Sequence, residues 1–309
     1  MRSGPGCPVC VTNPDEIDTA IELSQRPQTV VTTFGDMLRV PSSSKSLSEI
    51  KAKGGNVRVV YSIHDAVSLA RSDPSNEYVH FAIGFETTAP TTAAELLTGC
   101  PSNFSVICSH RLIPPAMEHL LRMGEIRING FICPGHVSTI IGSEAYRFIS
   151  EEYRVPQVIA GFEPIDVLIA VAMIIEQVNN GRTQVQNEYT RSVRPSGNIK
   201  AKEVMAKAFD IRDSEWRGIG TIGESAFDLR DELSQYDALK KFGLRHRTAY
   251  QVPAGCRCGE VLRGLIYPQQ CPLFDKACTP ISPVGPCAVS REGACYISMR
   301  TPKSQDRVH

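Results

Sequence analysis

The sequence predicts an α/β protein of two lobes with parallel sheets around a cleft, followed by a loop-rich module at the carboxyl end. Three observations carry this. Apolar, β-branched runs alternate with helical patterns from residue 14 to about residue 180. A break near residues 99–103 separates two stretches of that alternation. Beyond Pro253 the pattern gives way to prolines and glycines interspersed with six cysteines. A chain of 309 residues suits two domains and a small third module, and the expected divisions are 1–98, 99–210 and 211–309.

The strands are expected at 29–34, 57–62, 79–84, 104–109, 130–133 and 157–161. Most are apolar on both faces, as parallel strands covered by helices on each side must be. Helices are expected at 15–25, 64–71, 91–97, 115–123, 143–152 and 164–179. The first has clear start signals: Asn13 as N-cap, Pro14 at the first helical position, then Asp15 and Glu16. Ile17, Ala20 and Ile21 form its apolar face. Strand–helix alternation of this kind builds right-handed crossover units. Residues 41–48 and Gly54-Gly55 read as loops, and past Asn180 the alternation fades.

Composition narrows the function. The 42% hydrophobic and 21% charged fractions are those of a soluble globular protein. Lys+Arg and Asp+Glu both number 33, so neither nucleic acid nor a membrane surface is an expected partner. The longest apolar stretch, Val167 to Ile175, is about half of a membrane span. Met1-Arg2-Ser3 leads into GPGCPVC with no apolar signal-peptide core. A cytoplasmic, reducing compartment is expected, where metal or catalytic roles for cysteine outrank structural disulfides.

The cysteines dominate the chemistry. From Cys256 the spacing is C-x-C, twelve residues, Cys271, six, Cys278, eight, Cys287, seven, Cys295, with no histidine between. Four thiolates on a flexible scaffold suit a 4Fe–4S cluster and leave two cysteines over; the alternative is a four-thiolate zinc site. Cys7 and Cys10 form a CPVC just before a helix start. That helix should favour thiolate, and C-x-x-C beside an α/β unit is a redox signature, although half a zinc knuckle has the same spelling. The flanking glycines and prolines predict a tight, exposed turn. Glu86 in GFETTAPTTA, Cys133 and His136 in CPGHVSTIIG, and Glu163 and Asp166 in GFEPID all stand where strands end, the edge at which α/β sheets build sites. Each has a plainer reading as helix capping, yet three such turns on one edge suggest a cleft. Cys100 and Cys108 read as small buried hydrophobes, and Arg111 as a surface salt bridge or an anion contact.

Seven motifs in order, GPGCPVCVT, TFGDMLRVP, AIGFETTAPTTA, SHRLIPPAM, GFICPGHVSTIIG, GFEPIDVL and the cysteine segment from CRCGEVLRGLIYPQQCPLF to REGAC, resemble the HypD family of hydrogenase maturation proteins. The resemblance covers nearly the whole chain. It implies two α/β lobes facing a cleft and a third domain holding a 4Fe–4S cluster, with Cys256, Cys271, Cys278 and Cys295 as ligands. Cys258 and Cys287 would be an adjacent thiol–disulfide pair. It also implies a HypC-type chaperone and a HypE-type cyanide donor as partners. The Fe(CN)2CO unit of NiFe-hydrogenase would be assembled on this redox-active scaffold, rather than a metabolite turned over. Glu86, His136 and Glu163 would line the cleft, and electrons would reach Cys7 and Cys10 through Cys258 and Cys287. The family carries a C-G-T-H segment upstream of GPGCPVC that is absent from these 309 residues, so a truncated amino end is expected. A stand-alone thiol–disulfide oxidoreductase with an iron–sulfur electron inlet is the alternative from a different class.

Overall fold

The computed structural model describes residues 3–43, 45–245 and 254–301. After two helices, α1 (Pro8–Val11) and α2 (Pro14–Ser24), the chain runs β1 (Thr29–Thr33), α3 (Leu47–Ala52), β2 (Val57–Val59), α4 (Ile63–Ser72), β3 (Glu77–Gly84), α5 (Ala89–Thr98) and β4 (Phe104–His110). The four strands make one parallel sheet in the order β2-β1-β3-β4. Every residue from Tyr78 to Gly84 and from Phe104 to His110 is buried, which is why those runs are mostly apolar, with His80, Ser105, Ser109 and His110 as buried polar positions. Helix starts follow from local chemistry. Asn13 accepts the Asp15 amide at 3.0 Å at the head of α2, and Ser46 with Glu49 and Ser62 with Asp65 form reciprocal capping boxes on α3 and α4.

The chain then crosses through α6 (Ile113–Arg122) to a second parallel sheet, β5-β6-β7 (Phe131–Pro134, Gln157–Ala160, Val185–Asn187), with α7 (Gly135–Ile141), α8 (Arg147–Glu152) and α9 (Pro164–Asn179) around it. It returns through α10 (Ile199–Ala208) and an antiparallel hairpin, β8 (Phe209–Trp216) and β9 (Gly220–Leu229), before α11 (Ala238–Lys241). The cysteine module follows, with two short helices, α12 (Cys258–Leu262) and α13 (Ala294–Arg300). No helix among the described residues is long and apolar enough to cross a membrane.

Two expected boundaries do not match the sheets. A division at residue 98 cuts the first sheet, because β4 pairs with β3 from Tyr78↔Phe104 to Gly84↔His110. A division at residue 210 cuts β8, and α10 with the hairpin packs on the first lobe: Met205, Phe209, Phe227 and Leu229 share a core with Val30, Tyr78 and Val106. Among the described residues the module beyond residue 254 has no separate core either. Cys258, Cys278, Cys287 and Cys295 are buried in one cluster with Trp216 and with Ile113, Cys133 and Ile159 of the second lobe.

Arg111 is wholly buried rather than on the surface. It donates to Glu16 Oε2 at 2.7 Å, Ser109 donates to the same oxygen at 2.8 Å, and Arg212 stands 3.7 Å from Oε1. Burial pushes the Glu16 carboxyl up, but the two guanidinium groups and the hydrogen bonds outweigh it and hold it below its ordinary value of 4.5. Its contribution to stability is therefore present above about pH 4.5 and is lost as pH falls through the lower folded value. Arg111→Ala is expected to cost about 3–5 kcal/mol at neutral pH in denaturant titration, since it strips a buried carboxylate of its partner. A loss below about 1 kcal/mol, the scale of a surface pair, would contradict this assignment.

Candidate functional site: two cysteine pairs and a four-thiol cavity

CPVC is itself a helix start. Cys7 is the N-cap of α1 and Pro8 its first residue, so the Cys10 amide donates to Cys7 Sγ at 3.2 Å. The turn is buried, not exposed: Cys7 is 6% and Cys10 5% accessible. The reason lies far along the chain. Ser290 reaches back to both sulfurs, at 3.1 Å from Cys7 and 2.9 Å from Cys10, and Arg217 donates its amide to Val11 O at 3.0 Å. The Cys7 pKa is lowered below its ordinary value of 9.0, first by the side chain of Cys10 and next by Ser290, against the opposing effect of burial. Cys10 moves the other way, first because of the Cys7 side chain beside it and then because of burial. The asymmetry arises inside the motif rather than from the helix at Pro14.

The six cysteines of the carboxyl module, Cys256, Cys258, Cys271, Cys278, Cys287 and Cys295, line one small cavity closed by Val261, Leu273, Phe274 and Met299. Cys258 and Cys287 are joined as a disulfide across 29 residues of sequence, with Cα atoms 6.3 Å apart. The other four are free thiols. Gly285 makes room, because a Cβ there would stand 2.5 Å from Cys256 Sγ, and the Val284 amide donates to Cys278 Sγ at 3.3 Å. Burial, then the neighbouring Cys278, Cys271 and Cys256, pushes the Cys295 thiol up to about 12. Burial also raises Cys256. Among the described residues no three His, Cys, Asp or Glu side chains converge as ligands of a single ion would. The thiols ring a space instead.

A second cavity abuts the first. Cys7, Cys10 and Arg217 line it together with Cys258, Cys287 and Pro286, so the disulfide forms part of the wall of both. The β8–β9 hairpin tip braces this junction. Gly218 has φ +76°, and a Cβ on it would stand 2.4 Å from Pro286 Cγ, so the tip fits beside Cys287 only as glycine.

The carboxylates and the histidine fall in two places. Glu86 is 2% exposed and so does not face an open cleft. Its Oε1 accepts the Ile113 amide at 3.0 Å where the chain passes between the lobes, and its Oε2 has no hydrogen-bond partner among the described residues. Burial pushes its carboxyl up to about 7. His136 and Glu163 are exposed and stand together at the ends of β5 and β6. His136 stacks on Phe162 with ring centroids 3.9 Å apart, next to Glu163, which caps α9 reciprocally with Asp166. Asp166 in turn pairs with Arg191. Cys133 is buried, 3.5 Å from Gln157 Oε1. Cys108 is buried and Cys100 partly so. Ser290 and the hairpin tip were not singled out from sequence: a serine three residues after a cysteine in a loop has no distinguishing pattern.

Fold and site together define a cysteine-centred α/β protein in which the Cys258–Cys287 disulfide forms a wall shared by a cavity of four thiols and a second cavity lined by Cys7 and Cys10. The chain belongs to the HypD family, whose model, described as the hydrogenase formation hypA family, matches residues 1–301. The hydrogenase maturation factor HypD of Rhizobium leguminosarum bv. viciae is 47% identical over 306 residues, covering 96% of this chain and 79% of the relative. HypD of Cupriavidus necator is 45% identical over 306 residues, 96% of this chain and 80% of the relative. That of Rhodobacter capsulatus is 44% identical over 299 residues, 94% and 79% of the two chains.

Glu86 yields a sign that can be measured. Its folded pKa of about 7 lies above the ordinary 4.5, so the stability it contributes below pH 4.5 is lost as pH rises to about 7. Glu86→Gln removes this dependence. The variant should gain on the parent by up to about 1.4 kcal/mol per pH unit across that window, read from denaturant titrations at several pH values. A constant difference would contradict the buried, neutral carboxyl.

Proposed function

We propose that this chain works in NiFe-hydrogenase maturation, as a redox-active cytoplasmic scaffold on which the Fe(CN)2CO unit is assembled with a HypC-type chaperone and a HypE-type cyanide donor. The observation that carries the reading is the shared disulfide: Cys258 and Cys287 line the four-thiol cavity on one side and the Cys7/Cys10 cavity on the other. Family membership supplies the pathway. A stand-alone thiol–disulfide reductase would use the same cysteines, but the names of the relatives all speak for hydrogenase formation or maturation.

The donor set fits an iron–sulfur cluster. Four free thiols, an apolar lining, a glycine that leaves space at Cys256 and a backbone amide aimed at Cys278 Sγ are what a cubane held by four cysteines requires. Cys256, Cys271, Cys278 and Cys295 would hold it, and when bound it supplies one-electron chemistry. Cys256 and Cys295, whose thiols burial raises, would ionise on taking up a cation, so loading releases protons and its free energy is also folding energy.

The remaining chemistry belongs to the side chains. Cys7, as thiolate, attacks one sulfur of Cys258–Cys287, forming a mixed disulfide and releasing the other sulfur as thiolate. Cys10 gives its proton to that thiolate and attacks Cys7 Sγ. Cys7–Cys10 is then the disulfide and Cys258/Cys287 the dithiol; the reverse sequence reduces Cys7–Cys10. His136 and Glu163, exposed where strands β5 and β6 end, are placed to position partner or diatomic ligand and to move protons. Glu86, whose carboxyl burial raises, would act as a buried proton holder where the chain passes between the lobes.

Protein purified without oxygen should be brown and carry about four iron and four sulfide per chain, as one cubane requires. Cys271→Ala or Cys278→Ala should lose the cluster and lower the thermal stability of the carboxyl module. Stoichiometric zinc without inorganic sulfide would overturn the cofactor assignment. A full cluster in either variant would overturn the ligand choice.

A further inference from the structure

The Cys7–Cys10 pair is joined by a third side chain whose hydrogen can be placed by valence alone. Ser290 Oγ accepts the Cys10 thiol hydrogen at 2.9 Å and the Glu292 amide at 3.2 Å. A hydroxyl has two acceptor sites and one hydrogen. With both acceptor sites used, the single hydrogen is left for the remaining neighbour, Cys7 Sγ, at 3.1 Å. Cys7 Sγ already receives the Cys10 amide at 3.2 Å, so it is surrounded by donors, while the Cys10 sulfur is committed as a donor. We propose that Ser290 is the positioning residue that fixes the division of labour in CPVC, making Cys7 the nucleophilic thiolate and Cys10 the thiol that keeps its proton.

Ser290 lies between Cys287 and Cys295, nearly three hundred residues from the pair it serves, and Glu292 is itself tied to the amino-terminal segment by Ser3 Oγ donating to Glu292 O at 2.6 Å. The carboxyl module thus sets the reactivity of the amino-terminal motif as well as facing it. Donors to a sulfur stabilise its charged form, and hydrogen bonds to ionised groups are stronger than those between neutral ones. The lowered Cys7 pKa, to which Ser290 contributes after Cys10, agrees with this placement; at Cys10 the Cys7 side chain and burial outweigh the lowering by Ser290.

The inference rests on Cys7 and Cys10 being the reactive pair, and its test is separable from that reading. The reduced protein is alkylated with iodoacetamide across pH 5–10, a range on the order of that spanned by perturbed and free thiols, and each cysteine is followed by peptide mass spectrometry. In the parent, Cys7 should react with a midpoint below that of an ordinary thiol, and Cys10 should be largely unmodified. Ser290→Ala should move the Cys7 midpoint up by on the order of one pH unit, about a tenfold loss of thiolate at neutral pH, and Ser290→Thr should restore it. Ser290→Gly provides the same loss of hydroxyl should the alanine variant be unstable. If the change merely opened access, the plateau rate would rise while the midpoint stayed put. An unmoved midpoint in a variant that melts like the parent would overturn the proposal. Equal reactivity of Cys7 and Cys10 in the parent would do the same. Failure of the parent to form a Cys7–Cys10 disulfide in redox buffers, with the midpoints behaving as described, would count against the proposed function and leave the role of Ser290 standing.

Discussion

The arrangement hangs on one buried carboxylate. Glu16 lies in the first turn of the helix that follows CPVC, and it is gripped by Arg111 and Ser109 from the end of β4 and Arg212 from β8. A charge in that position is tolerated only because opposite charges and donors meet it; without them its desolvation would cost several kcal/mol. The grip fixes α2, and with it the CPVC turn, against the first sheet and the hairpin. From there the hairpin tip hydrogen-bonds to Val11 and packs Gly218 against Pro286. Three segments far apart in sequence therefore meet at Cys7, Cys10, Cys258 and Cys287 because of contacts that contain no cysteine.

Burial then sorts the thiols by what surrounds them. Cys133 and Cys108 sit in dry surroundings that push the Cys133 thiol well above its ordinary value and Cys108 up to about 12, and nothing around them favours the anion enough to offset it. Cys256 and Cys295 are raised by the same cause, with neighbouring thiols adding to it. Cys7 is lowered although buried, because donors converge on it. Reactive and structural cysteines are thus separated by hydrogen bonding rather than by exposure.

Much of this was legible beforehand. The alternation of apolar runs placed all six expected strands within a few residues, since a parallel strand buried on both faces cannot hide its composition. The first helix was readable from Asn13 and Pro14 because caps are local. The hairpin β8–β9 was not, because FDIRDSEW exposes one edge and carries charges that mask its alternation. Nor were the lobe boundaries: the chain leaves the first lobe at Ile113 and comes back at Ile199, and the return contacts of Met205 and Phe209 have no signature in the sequence around them. Arg111 read as a surface residue because its partner is nearly a hundred positions away. The cysteine spacing announced a common site, but the partner of each pair depended on how the amino and carboxyl ends meet.

The central claim is that the two cysteine pairs form one exchange unit. Its most direct test uses variants with a single cysteine left in each pair: Cys10→Ser combined with Cys258→Ser, and Cys10→Ser combined with Cys287→Ser. Each is oxidised with diamide without oxygen, digested and searched for cross-linked peptides. The account predicts an intramolecular disulfide from Cys7 to the remaining cysteine in at least one of the two. If oxidised glutathione instead caps Cys7 and its would-be partner separately in both variants and no cross-link forms, the two cavities do not communicate, and the account fails.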